Sequence, residues 1–427
     1  MSAREPTRPE AAAAEPAANG AAAAEPAANE AAAADPATLE AAAREVVETL
    51  ARLERRPCSP GERAAAEWIA ARLERAGCEV TLEEEAAYGR YMPTLAGLGA
   101  AGIAGALLTL RGRRATGALI SLAGAAALVD EAQNGPRVLR RLVLRRRTTV
   151  NVVARTGPRA APTLVVLAHH DAHQTGRLYD QSLLVALHRH APGLIARMRT
   201  SLPQWWIGLA GPALTTIAAL TGRRCPAAAA IPVLAVAGAA AAEVASNPVS
   251  PGANDNLSGV AALVALAERL RERPLPGVRV LLVSCGAEEA LQEGIRAFVA
   301  RHCGELDPAT TRFLNLETVG SPRLIMLEGE GPIWMEDYAG PSFRDEVERR
   351  AREEGIGLER GFRARASTDS VIPSRAGYPT ATLTSITAWG ALANYHLPTD
   401  TPENVDHATV GRAARLAYAL AAGPAPA

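Results

Sequence analysis

Four stretches of the chain carry no charged residue: Met92 to Leu110, Ala115 to Val129, Thr200 to Gly222 and Cys225 to Ala242. They fall in two pairs, the first joined by Arg-Gly-Arg-Arg and the second by Arg223 and Arg224, so each pair reads as a helical hairpin. A bilayer span needs about 20 mainly apolar residues. The stretches of 19, 23 and 18 residues meet that requirement and the 15-residue stretch from Ala115 is short. Trp205 and Trp206 suit an interfacial belt, and Gly97, Ala101 and Gly105 have the small-x-x-x-small spacing that lets helices approach closely in lipid. The competing reading is a pair of Ala/Gly-rich helices buried in a soluble core, or a dimerisation arm. Two separate uncharged hairpins are hard to hide in one core, which favours the membrane.

Each hairpin returns the chain to its starting side, so the segments around them share one compartment. Five arginines sit in the hairpin loops, against ten flanking the spans on the domain side (Arg90, Arg137, Arg140, Arg141, Arg145, Arg146, Arg147, Arg189, Arg197 and Arg199). The positive-inside rule then favours a cytoplasmic domain. The opening MSAREPTRPE, charged, proline-bearing and followed by no apolar core, predicts no secretory signal.

Outside the hairpins, short β-branched runs end in polar residues: TTVNVVART, PTLVVLAHHD, VRVLLVSCGAEE and TRFLNLETVG. Helical patterns such as GERAAAEWIAARLERAGCEV, SGVAALVALAERLRE and EGIRAFVARHC separate them. Strands alternating with helices predict an α/β fold with a largely parallel or mixed sheet, whose chemistry gathers at the carboxyl ends of the strands. Ahead of this, a decapeptide repeat (EAAAAEPAAN, GAAAAEPAAN, EAAAADPATL) is cut by Pro16, Pro26 and Pro36 before a stable helix can propagate, which predicts a disordered or semi-stiff tail. The expected organisation is a tail over 1–40, one folded domain in three pieces over 41–91, 132–199 and 246–427, and hairpins over 92–131 and 200–245.

Composition closes off other classes. Lys+Arg and Asp+Glu are equal at 45 each, which argues against an electrostatic nucleic-acid binder. The five cysteines are scattered, with no C-x-x-C pair, and support neither a disulfide framework nor a thiolate metal site.

Five segments place ligand-type residues at strand ends or in the loops that follow: LAHHDAH (167–173), GANDNLSG (252–259), SCGAEEA (284–290), LNLETVG (314–320) and NYHLPTD (394–400). Singly each is weak, because a lone histidine at a strand end is more often structural than a ligand. Their order and spacing together resemble the zinc-dependent aminopeptidase and glutamate carboxypeptidase family with two co-catalytic metals. The likeness runs from about residue 57 to residue 406, interrupted by the hairpins. It implies a mixed, mostly parallel sheet sandwiched by helices, of the zinc exopeptidase type, with two zinc ions as cofactor. One departure stands out: Glu317 occupies a position where that family usually carries Asp.

Zinc favours imidazole and carboxylate and needs an open position for water, and two ions about 3.5–4 Å apart need a shared carboxylate to offset their repulsion. Asp255, in a tight Gly/Asn-rich loop, is the expected bridge, with His169 and Glu317 completing one metal and Glu289 and His396 the other. Room remains for a hydroxide between the ions. Glu288 diverges from its neighbour and is expected to act as general base and then proton donor. Asp171, on the same face of an extended segment as His169, is expected to accept the other imidazole N–H. His170 and His173 are set aside as bystanders, Asp369 and Tyr395 stay outside the catalytic set, and Asp400 shares the late Y-H-x-x-x-D motif with His396.

The expected activity is hydrolysis of N-terminal peptide bonds, so the partners are a peptide substrate and a membrane, with no nucleic acid. Two other amide chemistries fit the scaffold, an acidic-dipeptide carboxypeptidase and a glutaminyl cyclase. A noncatalytic membrane receptor is disfavoured because every ligand position holds a ligand-competent residue.

Overall fold

The computed structural model describes residues 36–159 and 161–423. The decapeptide tail therefore lies outside the described residues, except that a helix already begins at Pro36 and runs to Leu50. The folded chain thus starts five residues before the expected boundary, with proline at a first helical position where its missing N–H costs nothing.

Nine strands form one sheet: β1 (Glu79–Ala87), β2 (Arg147–Thr156), β3 (Thr163–His169), β4 (Arg279–Cys285), β5 (Thr311–Leu316), β6 (Arg323–Glu330), β7 (Glu336–Asp337), β8 (Glu359–Ala364) and β9 (Thr380–Ile386). Their order is β1-β2-β4-β3-β5-β9-β6-β7, with β8 on β6. The middle strands β4, β3, β5 and β9 are parallel, while β1, β2, β6 and β7 add antiparallel margins. Every residue of β3, β4, β5 and β9 is buried, as expected of parallel strands covered on both faces. Their registers match His169 with Cys285 and Leu167 with Asn315, so the carboxyl ends of the three strands finish at one level.

Helices cover both faces. Helices Pro36–Leu50, Pro60–Arg75, Ser258–Glu272 and His407–Ala422 pack with one another on one side. On the other, helix Glu293–His302 contributes Ile295 and Phe298 to a core with Val165, Leu281, Val283 and Phe313. Helix Pro60–Arg75 shows how local sequence sets these elements: Ser59 caps it by accepting the Glu62 N–H at 3.2 Å, and Gly77, at φ +82, turns the chain out of it.

The two uncharged hairpins are helices Met92–Leu110 with Arg114–Ala132, and Ile207–Thr221 with Arg224–Ser246. Their lengths differ from the sequence reading. The stretch from Ala115 extends at both ends to a 19-residue helix, whereas Thr200 to Gly222 yields only 15 helical residues, because Pro203 and a 3-10 turn at Gln204–Trp206 delay its start. Three of the four, Met92–Leu110, Arg114–Ala132 and Arg224–Ser246, are long and apolar enough to cross a membrane. The hairpins pack together as one four-helix unit, with Met92–Leu110 seated on Arg224–Ser246. A side chain at Gly99 would place its Cβ 2.9 Å from the Gly238 Cα, so the two backbones approach where both residues are glycine. Large side chains on the outside of this unit stay exposed, among them Leu119, Leu122, Leu220 and Val236.

Candidate active site

The carboxyl ends of the parallel strands deliver four of the five ligand-bearing segments. His169 closes β3, Glu288 and Glu289 follow β4 in a 3-10 turn, Glu317 follows β5, and His396 lies in the loop after β9. The fifth, Gly252–Leu257, connects helix Arg224–Ser246 to helix Ser258–Glu272. A second hydrophobic insertion between His169 and Asp255 therefore does not separate them in space.

Asp255 stands between two imidazoles. Its Oδ1 is 3.3 Å from His169 Nε2 and its Oδ2 is 3.0 Å from His396 Nε2. Glu317 Oε1 lies 3.4 Å from the same His169 nitrogen, and Glu289 Oε1 lies 3.1 Å from His396 Nε2. The five expected ligands thus meet as two sets that share Asp255. All are buried, and neither His169 Nε2 nor Asp255 Oδ2 has a well-aligned hydrogen-bond partner among the described residues. Buried polar atoms left this way are costly unless something else binds them. A nitrogen and oxygen donor set of this kind is what zinc prefers, so the residues fit the group.

Charge follows geometry. Burial works to raise the Asp255 carboxyl, but the flanking imidazoles outweigh it and hold the carboxyl well below the ordinary range. Burial likewise opposes charge on His169, yet Glu317 and Glu288 drive it well above its usual value. For Glu288, burial wins and the carboxyl is pushed far up despite the pull of His169.

Neighbouring groups fix the cluster. Asp171 lies 3.4 Å from His169 Nδ1 and accepts the backbone N–H groups of Glu288 (3.1 Å) and Glu289 (3.0 Å), so one carboxylate orients both an imidazole and the acidic turn. Asp400 accepts the N–H groups of Asn254 (2.7 Å) and Asp255 (3.1 Å). The Asn256 amide ties the same loop to the end of β5 through Leu316 O and Thr318 N. The Thr318 hydroxyl lies 3.2 Å from both Asp255 Oδ1 and Glu317 Oε1, and the longer glutamate reaches the cluster without displacing Asp255.

His170 faces away, its Nδ1 on the Ser284 hydroxyl at 2.9 Å. His173, set aside in the sequence, comes within ligand range of Glu289 and His396. It stacks on His396 at 4.1 Å, with Nδ1 donating to Gln174 O and Nε2 facing the Tyr91 hydroxyl. Tyr395 stacks on the other face of His396 at 3.8 Å. Asp369 is fully buried near the cluster, and burial pushes its carboxyl up to about 8.

Two residues carry no sequence signal. Arg55, fully buried, binds carbonyls on both sides of the cluster. Glu330, at the end of β6, accepts the Tyr338 hydroxyl together with the Thr368 N–H (3.0 Å) and hydroxyl (2.9 Å), clamping the loop that carries Asp369. Burial pushes the Glu330 carboxyl from 4.5 up to about 7. A carboxyl raised on folding contributes stability that is complete below its unfolded pKa and lost as pH rises through the folded one. Glu330→Gln, neutral throughout, is expected to gain on wild type by roughly 3 kcal/mol between pH 4.5 and pH 8, at about 1.36 kcal/mol per tenfold. Melting curves across that range check it, and a difference independent of pH refutes it.

The cluster forms the floor of a cavity of about 680 Å³, within the range of small-molecule sites. Its walls include Leu178, Leu183, Ile195, Phe362 and Ile386, with Trp205 at one side.

Residues 241–421 match the family model described as peptidase family M28. A probable lipoprotein aminopeptidase of Mycobacterium tuberculosis is 27% identical over 214 residues, which make up 42% of this chain and 41% of that protein. The chain thus spans about two fifths of the curated relative it matches. Among solved structures, a leucine aminopeptidase precursor from Bacteroides thetaiotaomicron has a TM-score of 0.52 at 15% identity, covering 90% of this chain and 97% of that one. An aminopeptidase from Aneurinibacillus sp. strain AM-1 has 0.51 at 14% identity, covering 89% and 92%. A glutaminyl cyclase from Bacteroides thetaiotaomicron has 0.52 at 14% identity, covering 90% and 98%. At such identities the likeness is one of fold, and it agrees with the mixed α/β sheet described above.

Proposed function

We propose, from the match of residues 241–421 to the peptidase family M28 model, that the chain is a zinc-dependent exopeptidase, an aminopeptidase held at a membrane. The observation that carries the reading is the shared position of Asp255 between His169 and His396, with one further carboxylate on each side. His169 and Glu317 would hold one zinc ion, Glu289 and His396 the other, and Asp255 both. Zinc bound there supplies an activated water and a polarised carbonyl.

The chain's own residues do the rest. Glu288 lies in the same cavity with Oε1 held by the Gln292 side chain at 2.6 Å, which leaves Oε2 to take a proton from water and return it to the departing amine. Asp171 keeps His169 in one orientation, and the buried floor limits competing solvent.

A second reading, carboxypeptidase-type cleavage, is favoured by Arg199 and Arg365. Both line the cavity, over the Phe362 and Trp206 rings, and neither forms an ion pair among the described residues, so either is available to a substrate carboxylate. Peptides with a free or blocked α-amine and a free or amidated α-carboxylate separate the two readings. An aminopeptidase requires the amine. Chelation is expected to abolish hydrolysis and zinc to restore it, with a melting temperature that rises with zinc concentration. Hydrolysis unaffected by chelators overturns the metal reading.

Attachment to a membrane rests on the three long apolar helices. The exposed Cys225 stands at the loop of the second hairpin and the exposed Cys303 on the domain, so a spanning protein puts them on opposite sides. In intact cells an impermeant maleimide is expected to label Cys225 and to reach Cys303 only after lysis, with the domain in the cytoplasm. Equal labelling of both before lysis rules out spanning.

A further inference from the structure

We propose that the cavity above the cluster continues into a second chamber between the apolar helices, and that the substrates are peptides whose first residue carries an aliphatic chain longer than that of leucine. The proposal rests on the aminopeptidase reading of the cluster and names its substrate class.

The second chamber measures about 170 Å³ and is walled by Leu95, Gly102, Gly124, Leu128, Leu234 and Ala241, among others, with no charged side chain in its lining. Tyr91, Leu178, Tyr179, Gln204 and Trp205 line both cavities. One of these touches the cluster and another touches the histidine stacked on it. The Tyr91 hydroxyl is 3.3 Å from His173 Nε2, and the Tyr179 ring meets the His396 ring edge-on at 4.5 Å. One layer of aromatic side chains thus separates the ligands from the space between the helices. A chain attached close to the scissile bond has only to pass that layer, beside Leu178 and Trp205.

The chamber exists because small residues hold the helices together without filling the space between them. A Cβ at Gly102 would stand 2.9 Å from the Leu234 side chain, and one at Gly208 would stand 2.6 Å from that of Leu128, so a side chain at either position would push a leucine out of its place. A Cβ at Gly124, by contrast, meets nothing within 4 Å. Water gains few hydrogen bonds in such a lining, whereas methylene groups gain burial there, at about fourfold in affinity for each one added. An apolar space of about 170 Å³ suits an aliphatic chain better than a polar side chain.

The test uses the detergent-solubilised, zinc-loaded full chain and aminomethylcoumarin amides of 2-aminobutanoic acid, norleucine, 2-aminooctanoic acid and 2-aminodecanoic acid. These share one free amine and one scissile amide and differ only in chain length. The expected result is a kcat/KM that climbs about fourfold per methylene beyond norleucine. Gly124→Leu, which fills the chamber, is expected to collapse the ratio of the longest to the shortest substrate. A flat series, or a climb that Gly124→Leu leaves intact, overturns the inference. Failure to hydrolyse any of the four amides overturns the aminopeptidase reading instead. A second measurement does not depend on that variant: a 2-aminodecanoyl amide tipped with a diazirine, bound to Glu288→Gln protein and irradiated, is expected to label residues within 95–128 or 207–241. Labelling confined to 323–392, as when a bilayer lipid already fills the chamber, overturns the proposal.

Discussion

Purified Glu288→Gln protein is expected to keep its fold and its zinc and to lose about a thousandfold in kcat, inside the 10²–10⁴ range of a general base. Glutamine preserves the shape of the side chain, and its carbonyl can still accept the Gln292 amide that now reaches Glu288 Oε1 at 2.6 Å. Its amide nitrogen is not basic, because its lone pair is delocalised into the carbonyl. Glu289→Gln supplies the contrast, because Glu289 Oε1 faces His396 Nε2 and on the proposed reading its loss would remove a metal ligand. That variant should lose metal along with activity, whereas Glu288→Gln should lose activity alone. Melting temperature and zinc content, measured beside kcat, separate the two. Wild-type turnover in Glu288→Gln would remove Glu288 from the mechanism.

The second large effect lies outside the cluster. Arg55→Met is expected to destabilise the fold by about 3–5 kcal/mol, the range for removing one partner of a buried charged network. Arg55 is fully buried, with Nε donating to His170 O at 2.8 Å, Nη1 to Leu50 O at 2.7 Å, and Nη2 to Pro251 O at 2.9 Å and Gly252 O at 3.1 Å. Burial lowers its guanidinium to about 10, against the counter-pull of Asp400, Asp171 and Asp255. Methionine fills the volume but leaves the His170 and Pro251 carbonyls without their Arg55 donor, in the strand-end and loop backbones that carry Asp171 and Asp255. Lysine restores charge from a single point and cannot span both backbones, so Arg55→Lys should recover only part of the loss. A melting temperature within 2 °C of wild type for Arg55→Met would refute the role.

Arg55 also marks where reading the sequence ends. In RLERRP nothing sets it apart from its neighbours, because its partners are backbone carbonyls far along the chain, at residues 170, 251 and 252. Glu330 is hidden for the same reason, as its partners Tyr338 and Thr368 belong to different elements. The cluster itself was legible because chemistry repeats at strand ends: His169, Glu288 and Glu317 each follow an apolar run, and the mixed α/β sheet follows from the same alternation. His173 shows the opposite limit. Its distance along the chain from His396 says nothing about ring stacking, which depends on how the loop after β9 folds back. Hairpin boundaries moved where Pro203 delays a helix and where Asp130 and Glu131 extend one past its uncharged stretch.

The position of Asp400 bears on how the protein comes into being. The backbone of Asp255 is anchored by a side chain 145 residues later, and Glu289 meets His396 across 107 residues. During synthesis both apolar hairpins leave the ribosome long before Asp400, and the emerging chain can settle them while the ligand set is still incomplete. Pairings this distant form late, since loop closure comes before the contact that rewards it. A chain that ends between Ile386 and His396 therefore contains every described strand of the sheet and no finished cluster, and on the proposed reading the capacity to cut peptides would come only with the closing segment.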